Sequence, residues 1–64
     1  MEIVINGKQE AGNYSTVADL LSKRGLDPKQ IIVELNGAIL PKNDYARQLK
    51  DGDSLELVQF VAGG

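Results

Sequence analysis

The C-terminal stretch FVAGG is the part of the sequence best suited to chemistry. After the apolar residue Phe60 the chain narrows to Ala62, Gly63 and Gly64, which have little or no side chain. Residues 61–64 can extend about 13 Å, at roughly 3.3 Å per residue. A thread this slim can enter a narrow site on another protein and present a carboxylate there. We therefore interpret residues 61–64 as a flexible tail whose reactive group is the carboxylate of Gly64.

The chemistry that suits such a tail is activation of the carboxylate itself. A free carboxylate resists nucleophilic attack, whereas an acyl adenylate formed from it reacts readily. The adenylating enzyme must bring ATP and the carboxylate together in a narrow site, and side chains on the last two residues would obstruct that approach. Ordering the tail costs about 1–2 kcal/mol of backbone entropy per residue, so contacts with the rest of the domain must offset this cost. The alternative is a frayed end without function, which most domains have.

The composition excludes several other kinds of chemistry. The 64 residues include no Cys and no His, which rules out disulfides, thiolate nucleophiles and imidazole catalysis. We therefore expect no metal site, since zinc would need carboxylates alone. Nine acidic and seven basic residues argue against electrostatic nucleic-acid binding. No apolar run is long enough to span a membrane and no export signal precedes the first strand, so we expect a cytoplasmic protein that begins naturally at Met1.

The first half of the sequence predicts a hairpin followed by a helix. MEIVIN alternates apolar and polar residues, which is the period of a strand covered on one side. Asn6 and Gly7 predict a type I′ turn, after which a second strand runs from roughly Lys8 to Ala11. STVADLLSKRG then predicts a helix, with Thr16 as its N-cap and Gly25 in the left-handed position after its last turn.

The second half predicts further strands around a loop. IIVEL is a strand, the NG that follows is a turn, and AIL is a short edge strand because Pro41 cannot donate to a ladder. KNDYARQLKDGD is a loop with one helical turn near Tyr45 and with Leu49 pointing inward. SLELVQFV is the last strand, which we expect to lie beside the first strand and parallel to it.

This order of elements predicts an α+β fold of the β-grasp type: a mixed sheet of four to five strands packed on one helix, in a single domain over residues 1–64. One helix covers only one face of such a sheet, so the other face is exposed to solvent. The residues expected in the core are Met1, Ile3, Ile5, Val17, Leu20, Leu21, Ile31, Val33, Leu35, Leu40, Leu49, Leu55, Leu57 and Val61.

The last strand does not place all its apolar residues in the core. Leu55 and Leu57 share one face, whereas Val58 and Phe60 fall on the other, because strand side chains alternate. Ile32 points the same way on a neighbouring strand. These residues predict an exposed apolar patch that serves as a partner interface. Two alternatives stay open: scattered surface residues without a role, or a bulge near Val58 that turns Phe60 inward.

The complete set of motifs resembles the ThiS family, the sulfur carriers of thiamine biosynthesis. The NG hairpin, STVADLL and VELNGAILPKNDYARQLKDGDSLELVQFVAGG carry the resemblance, which covers the whole chain. Its most specific part is the second half, where a Pro, an aromatic residue, DGD, an apolar strand and GG follow at the family's spacing. Tyr45 stands where many members have Trp.

The resemblance implies a ubiquitin-like carrier that is a substrate of enzymes and not itself an enzyme. An E1-like, ATP-using enzyme would adenylate Gly64, a sulfur-relay donor would convert it to a thiocarboxylate, and thiazole synthase would accept the sulfur. Ala62, Gly63 and Gly64 match the family's tail motif. A small subunit of molybdopterin synthase, a ubiquitin-type protein modifier and a plain binding module are the alternatives.

Overall fold

The structure, a computed structural model, describes residues 1–60, so every prediction about Val61, Ala62, Gly63 and Gly64 lies outside the described residues. Six regular elements and two short 3-10 turns make up this part of the chain. They are β1 (Glu2–Ile5), β2 (Lys8–Ala11), α1 (Val17–Lys23), the turn Pro28–Gln30, β3 (Ile31–Leu35), β4 (Ala38–Leu40), the turn Lys42–Asp44 and β5 (Ser54–Gln59).

The strands form one five-stranded sheet in the order β2-β1-β5-β3-β4. β1 and β5 are parallel, whereas β1–β2, β3–β4 and β3–β5 are antiparallel. The predicted mixed sheet and the parallel pairing of the first and last strands are confirmed. No helix among residues 1–60 has the length and the apolar composition that crossing a membrane requires.

Both Asn-Gly pairs form the predicted hairpin turns. Asn6 and Gly7 have φ of 51° and 80°, and Asn36 and Gly37 have φ of 52° and 88°. A type I′ turn needs positive φ at both central positions, which Asn and Gly tolerate best. Each Asn side chain also bonds to β5: the Oδ1 atom of Asn6 accepts from the backbone N–H of Leu57 at 2.7 Å, and that of Asn36 from Ser54 at 2.8 Å. The two turns therefore also hold the central strand.

The start of α1 is capped as predicted. The Oγ1 atom of Thr16 accepts a hydrogen bond from the backbone N–H of Asp19 at 3.0 Å. The carboxylate of Asp19 accepts in turn from the N–H of Ser15, one residue before the cap. This bond to the Ser15 backbone is the main reason that the pKa of Asp19 lies below its ordinary value, and the neighbouring Lys23 lowers it further.

The end of α1 is a Schellman motif built on Gly25, which has φ of 71°. The N–H of Gly25 donates to the carbonyl of Ser22, and the N–H of Leu26 donates to the carbonyl of Leu21. Leu26 then packs against the core. The short helix is thus terminated at both ends by local bonds, as predicted.

The core lies between α1 and one face of the sheet. It contains most of the predicted residues together with Tyr45: Ile3, Ile5, Val17, Leu20, Leu21, Ile31, Val33, Leu35, Leu40, Tyr45, Leu49 and Leu55. The prediction was wrong for Met1, which is 41% exposed, because it precedes β1 and its amino group donates to the carbonyl of Gly12. Leu57 is only half-buried and packs against the edge of the core.

Tyr45 is the core residue that the sequence analysis missed. Its side chain is buried and its hydroxyl donates to the backbone carbonyl of Ile31 at 2.9 Å. Burial raises the pKa of the Tyr45 hydroxyl above its ordinary value of 10.0, because the charged phenolate loses its solvation. Tyr45 thereby connects the loop after β4 to the first residue of β3.

The Tyr45→Phe substitution tests this connection. We expect it to lower the free energy of unfolding at neutral pH by about 1–3 kcal/mol, because a buried hydrogen bond is lost. Since the folded-state pKa is raised, the native hydroxyl contributes stability below about pH 10 that is lost as the pH rises, and the variant should lack this part of the alkaline loss. Urea unfolding at neutral and alkaline pH measures both effects.

Tyr14→Phe is the matched control, because Tyr14 also packs against the core but its hydroxyl makes no hydrogen bond within residues 1–60. Equal stability losses in the two variants would show that the Tyr45 hydroxyl has no special role.

Candidate functional site

β5 is the strand that directly precedes the predicted tail in the sequence. It lies between β1 and β3, and the backbone N–H of Phe60 donates to the carbonyl of Gln30 at 3.0 Å. This bond extends the β3–β5 ladder one residue beyond Gln59, the last residue of β5. The backbone is therefore held by the sheet up to Phe60, directly before the residues that we interpret as the tail.

The sheet face that α1 does not cover, which we call the open face, carries the predicted apolar residues. Ile32 and Val58 are directly opposite each other on β3 and β5, and they alternate with core residues. Ile32 is 40% exposed, Val58 50% and Phe60 38%. The structure thus brings Ile32 and Val58 together next to the strand end that carries Phe60. Their role as a partner interface stays a prediction.

The predicted alternative of a bulge near Val58 is wrong. The pairing of β3 with β5 runs without an extra residue from Ile31 opposite Gln59 to Leu35 opposite Leu55. Unbroken register keeps successive side chains on opposite faces, so no bulge turns Phe60 inward, and its side chain is 38% exposed.

Ile39 enlarges the apolar part of the open face. It lies on β4 opposite Glu34 of β3 and is 70% exposed. We call Ile32, Ile39, Val58 and Phe60 together the apolar strip. The sequence analysis identified AIL as a short edge strand but did not assign its middle residue to a face. The inward position of Leu40 was the signal that could have placed Ile39 outward.

The ammonium group of Lys42 contacts the ring of Phe60. Its Nζ atom lies 5.5 Å from the centroid of the Phe60 ring and donates to the carbonyl of Lys29 at 2.7 Å. A cation over an exposed aromatic ring contributes about 0.5–1 kcal/mol. Nothing in the sequence pattern signalled this contact, because it joins the turn after β4 to the end of β5.

In a sequence without Cys or His, the acidic side chains are the remaining candidates for binding a metal ion. Within residues 1–60 no group of three or more acidic side chains is close enough to hold a metal ion. The side-chain carboxylate of Asp53 is buried, but it accepts from the Asn36 amide at 3.0 Å and from the Lys50 N–H at 2.8 Å, so it serves the turn before β5. The end of β5 lies at the border of the open face.

Comparison with known proteins gives a consistent relationship. The model of the ThiS family matches residues 2–64. The sulfur carrier protein ThiS of Bacillus subtilis is 39% identical over 61 residues, which cover 94% of this chain and 88% of that protein. A crystal structure of the thiamine biosynthesis protein ThiS from Geobacter metallireducens superposes with a TM-score of 0.82 at 35% identity, over the full length of both chains.

A second kind of relative is much longer. A thiazole synthase of Paramagnetospirillum magneticum is 44% identical over 66 residues, which cover all of this chain but only 20% of that protein. The chain therefore spans about a fifth of the length of this relative.

The β-grasp sheet, the single capped helix and the matches over the whole chain agree with one another. The chain belongs to the ThiS family.

Proposed function

We propose that this protein carries sulfur as a thiocarboxylate on Gly64, which an E1-like enzyme first joins to AMP with release of pyrophosphate. Hydrosulfide supplied by a relay donor then attacks the acyl carbon and displaces AMP, which leaves the thiocarboxylate. The observation that carries the proposal is the sheet-held end of β5 at Phe60, directly before the sequence VAGG, in a chain of the ThiS family.

The chemistry of the chain is consistent with this role. It contains no Cys, so no side chain of its own could hold sulfur as a nucleophile. A thiocarboxylate supplies that nucleophile at the terminus, in ionised form. The protein is then a substrate and carrier with no catalytic residue, cofactor or metal of its own, and residues 1–64 act as one domain with residues 61–64 as its tail.

We propose thiazole synthase as the sulfur acceptor and the cytoplasm as the place of transfer. Support comes from the relative named thiazole synthase that matches this chain over its whole length. Carriers for molybdopterin synthase and ubiquitin-type modifiers share the chemistry of the terminal carboxylate, so the acceptor is what distinguishes them.

The proposed interface is the open face beside the tail, with Ile32, Val58 and Phe60 as its apolar contacts. An enzyme that bound only the four terminal residues would gain little binding free energy, because ordering these residues costs conformational entropy. The apolar strip lies on the same strand end and supplies area that a partner can bury. We propose that Ala62, Gly63 and Gly64 occupy the enzyme's narrow site while the strip contacts its surface.

The main test is mass spectrometry of the intact protein after incubation with ATP, a sulfur donor and a purified E1-like enzyme of the thiamine pathway. We expect one oxygen atom at the terminus to be replaced by sulfur, followed by loss of that sulfur to thiazole synthase. Conjugates linked to lysine would indicate a modifier instead, and an unchanged mass would contradict the proposal.

Deletion of Gly63 and Gly64 tests the role of the tail. We expect the truncated protein to have the melting temperature of the full chain and to lose adenylation. Its terminal carboxylate would then be two residues nearer to the domain and would belong to Ala62, so it could not reach the reaction centre. ATP–pyrophosphate exchange measures the adenylation step. Exchange at the normal rate with the truncated protein would show that Gly64 is not the activated residue.

The Val58→Asp substitution tests the interface. We expect it to weaken binding of the adenylating enzyme at least about tenfold, since buried apolar contacts carry most of the energy of an interface. The free energy of unfolding should change by only about 0.5 kcal/mol, as for other exposed positions. Ala11→Asp is the control, because Ala11 is exposed on the same face but lies on the edge strand β2, two strands from β5. A large loss of stability with unaffected binding would place Val58 in the core instead.

A further inference from the structure

The open face carries two acidic residues that the apolar strip borders on two sides. Glu34 of β3 and Glu56 of β5 are directly opposite each other in the antiparallel ladder. Ile39 lies opposite Glu34 on its other side, and the next row of the open face towards Phe60 is the Ile32–Val58 pair. Directly opposed residues on one face have Cβ atoms about 4.5–5.5 Å apart. The two carboxylates therefore share one small area of the face.

Within residues 1–60, no basic side chain forms an ion pair with either carboxylate. The three ion pairs among residues 1–60 join Lys23 to Asp19, Arg24 to Glu10 and Arg47 to Asp44, and none of them includes Glu34 or Glu56. Neither carboxylate accepts a side-chain hydrogen bond within this part of the chain. Like charges directly opposite each other destabilise a sheet. A cation supplied from outside would remove that cost.

We infer that the Glu34–Glu56 pair receives an arginine side chain from the protein that docks on the apolar strip, and that it thereby selects this partner. The inference rests on the proposed function, because the partner meant is the enzyme that adenylates the tail. A guanidinium group is planar and carries five N–H donors, so it can donate to both carboxylates at once. The apolar residues on two sides exclude water from such a contact, which strengthens it.

Other occupants fit this face less well. Nucleic acids present phosphates, which the two carboxylates repel. A second copy of this chain docked face to face would bring another acidic pair to the same region. A protein surface that combines an apolar patch with a central arginine matches both features of the face, and arginine is enriched at the centre of protein interfaces.

The test compares the double variant Glu34→Gln, Glu56→Gln with the wild-type chain and with the control Glu10→Gln. Glutamine keeps the size of the side chain and removes its charge. Glu10 lies on β2 and pairs with Arg24 of the helix side, so its substitution changes a charge away from the open face. The affinity for the adenylating enzyme is measured by calorimetry at several salt concentrations, and thermal unfolding is measured for each protein.

We expect the double variant to bind at least about tenfold more weakly, with a smaller salt dependence, while its melting temperature is equal to or higher than that of the wild type. The control should bind within about twofold of the wild type. Weaker binding together with an unchanged or higher melting temperature distinguishes a pair that recognises a partner from residues that only stabilise the fold. Hydrogen exchange of the complex identifies the segment of the enzyme that docking protects. Substitution of an arginine in that segment should weaken binding of the wild-type chain but not of the double variant, in which Glu34 and Glu56 are already Gln.

Three results for the double variant would overturn the inference: binding as tight as that of the wild type, a loss of affinity no greater than that of the control, or a loss of affinity only in proportion to a lowered melting temperature. Self-association of the wild type that the double variant strengthens would also overturn it, because the face would then serve a second copy. The proposed function is judged separately by sulfur loading of the wild-type chain at saturating enzyme, so the two ideas can fail independently.

Discussion

The two-sided hydrogen bonding of β5 is the constraint on which the rest of the structure depends. β5 pairs in parallel with β1 and antiparallel with β3, so neither of its edges is free to slide. Side chains alternate along a strand of fixed register. Because Leu55 is buried in the core, Glu56 and Val58 therefore lie on the open face. The same strand thus contributes to the core and determines which of its own side chains lie on the open face.

Side chains from both hairpin turns secure this register. Asn6 accepts from the N–H of Leu57, and Asn36 accepts from the N–H of Ser54. Asn36 also donates to the buried carboxylate of Asp53, which accepts from Lys50 as well. The bonds of Asn6 and Asn36 to β5 join residues that are 51 and 18 positions apart in the sequence. Together they help to fix the register of this strand in a domain of 64 residues without disulfides.

The sequence could predict what local patterns determine. Alternation in MEIVIN and IIVEL, the two Asn-Gly pairs and the caps Thr16 and Gly25 predicted the elements and their order correctly. It could not predict contacts between distant segments. Tyr45 lies in an irregular loop, where no period shows whether a side chain points inward, and its partner Ile31 belongs to another element.

The same limit applied at the candidate site. The alternation of β5 placed Val58 on the outer face, but the contact of Lys42 with Phe60 and the opposition of Glu34 and Glu56 follow from the register between strands. Register depends on the whole sheet and cannot be read from any single segment. Met1 continued the apolar alternation of β1, yet a pattern alone does not show where the sheet ends.

The bond between Phe60 and Gln30 is the last sheet contact within the described residues, and four residues follow Phe60 in the given sequence. Four extended residues reach about 13 Å, at roughly 3.3 Å per residue. On our proposal that these residues form the tail, docking of the domain would confine the terminal carboxylate within that distance, where a short tether gives a local concentration of the order of millimolar. The proposal therefore sets a geometric condition on the enzyme, whose nucleotide pocket must lie about one tail length from the docked sheet.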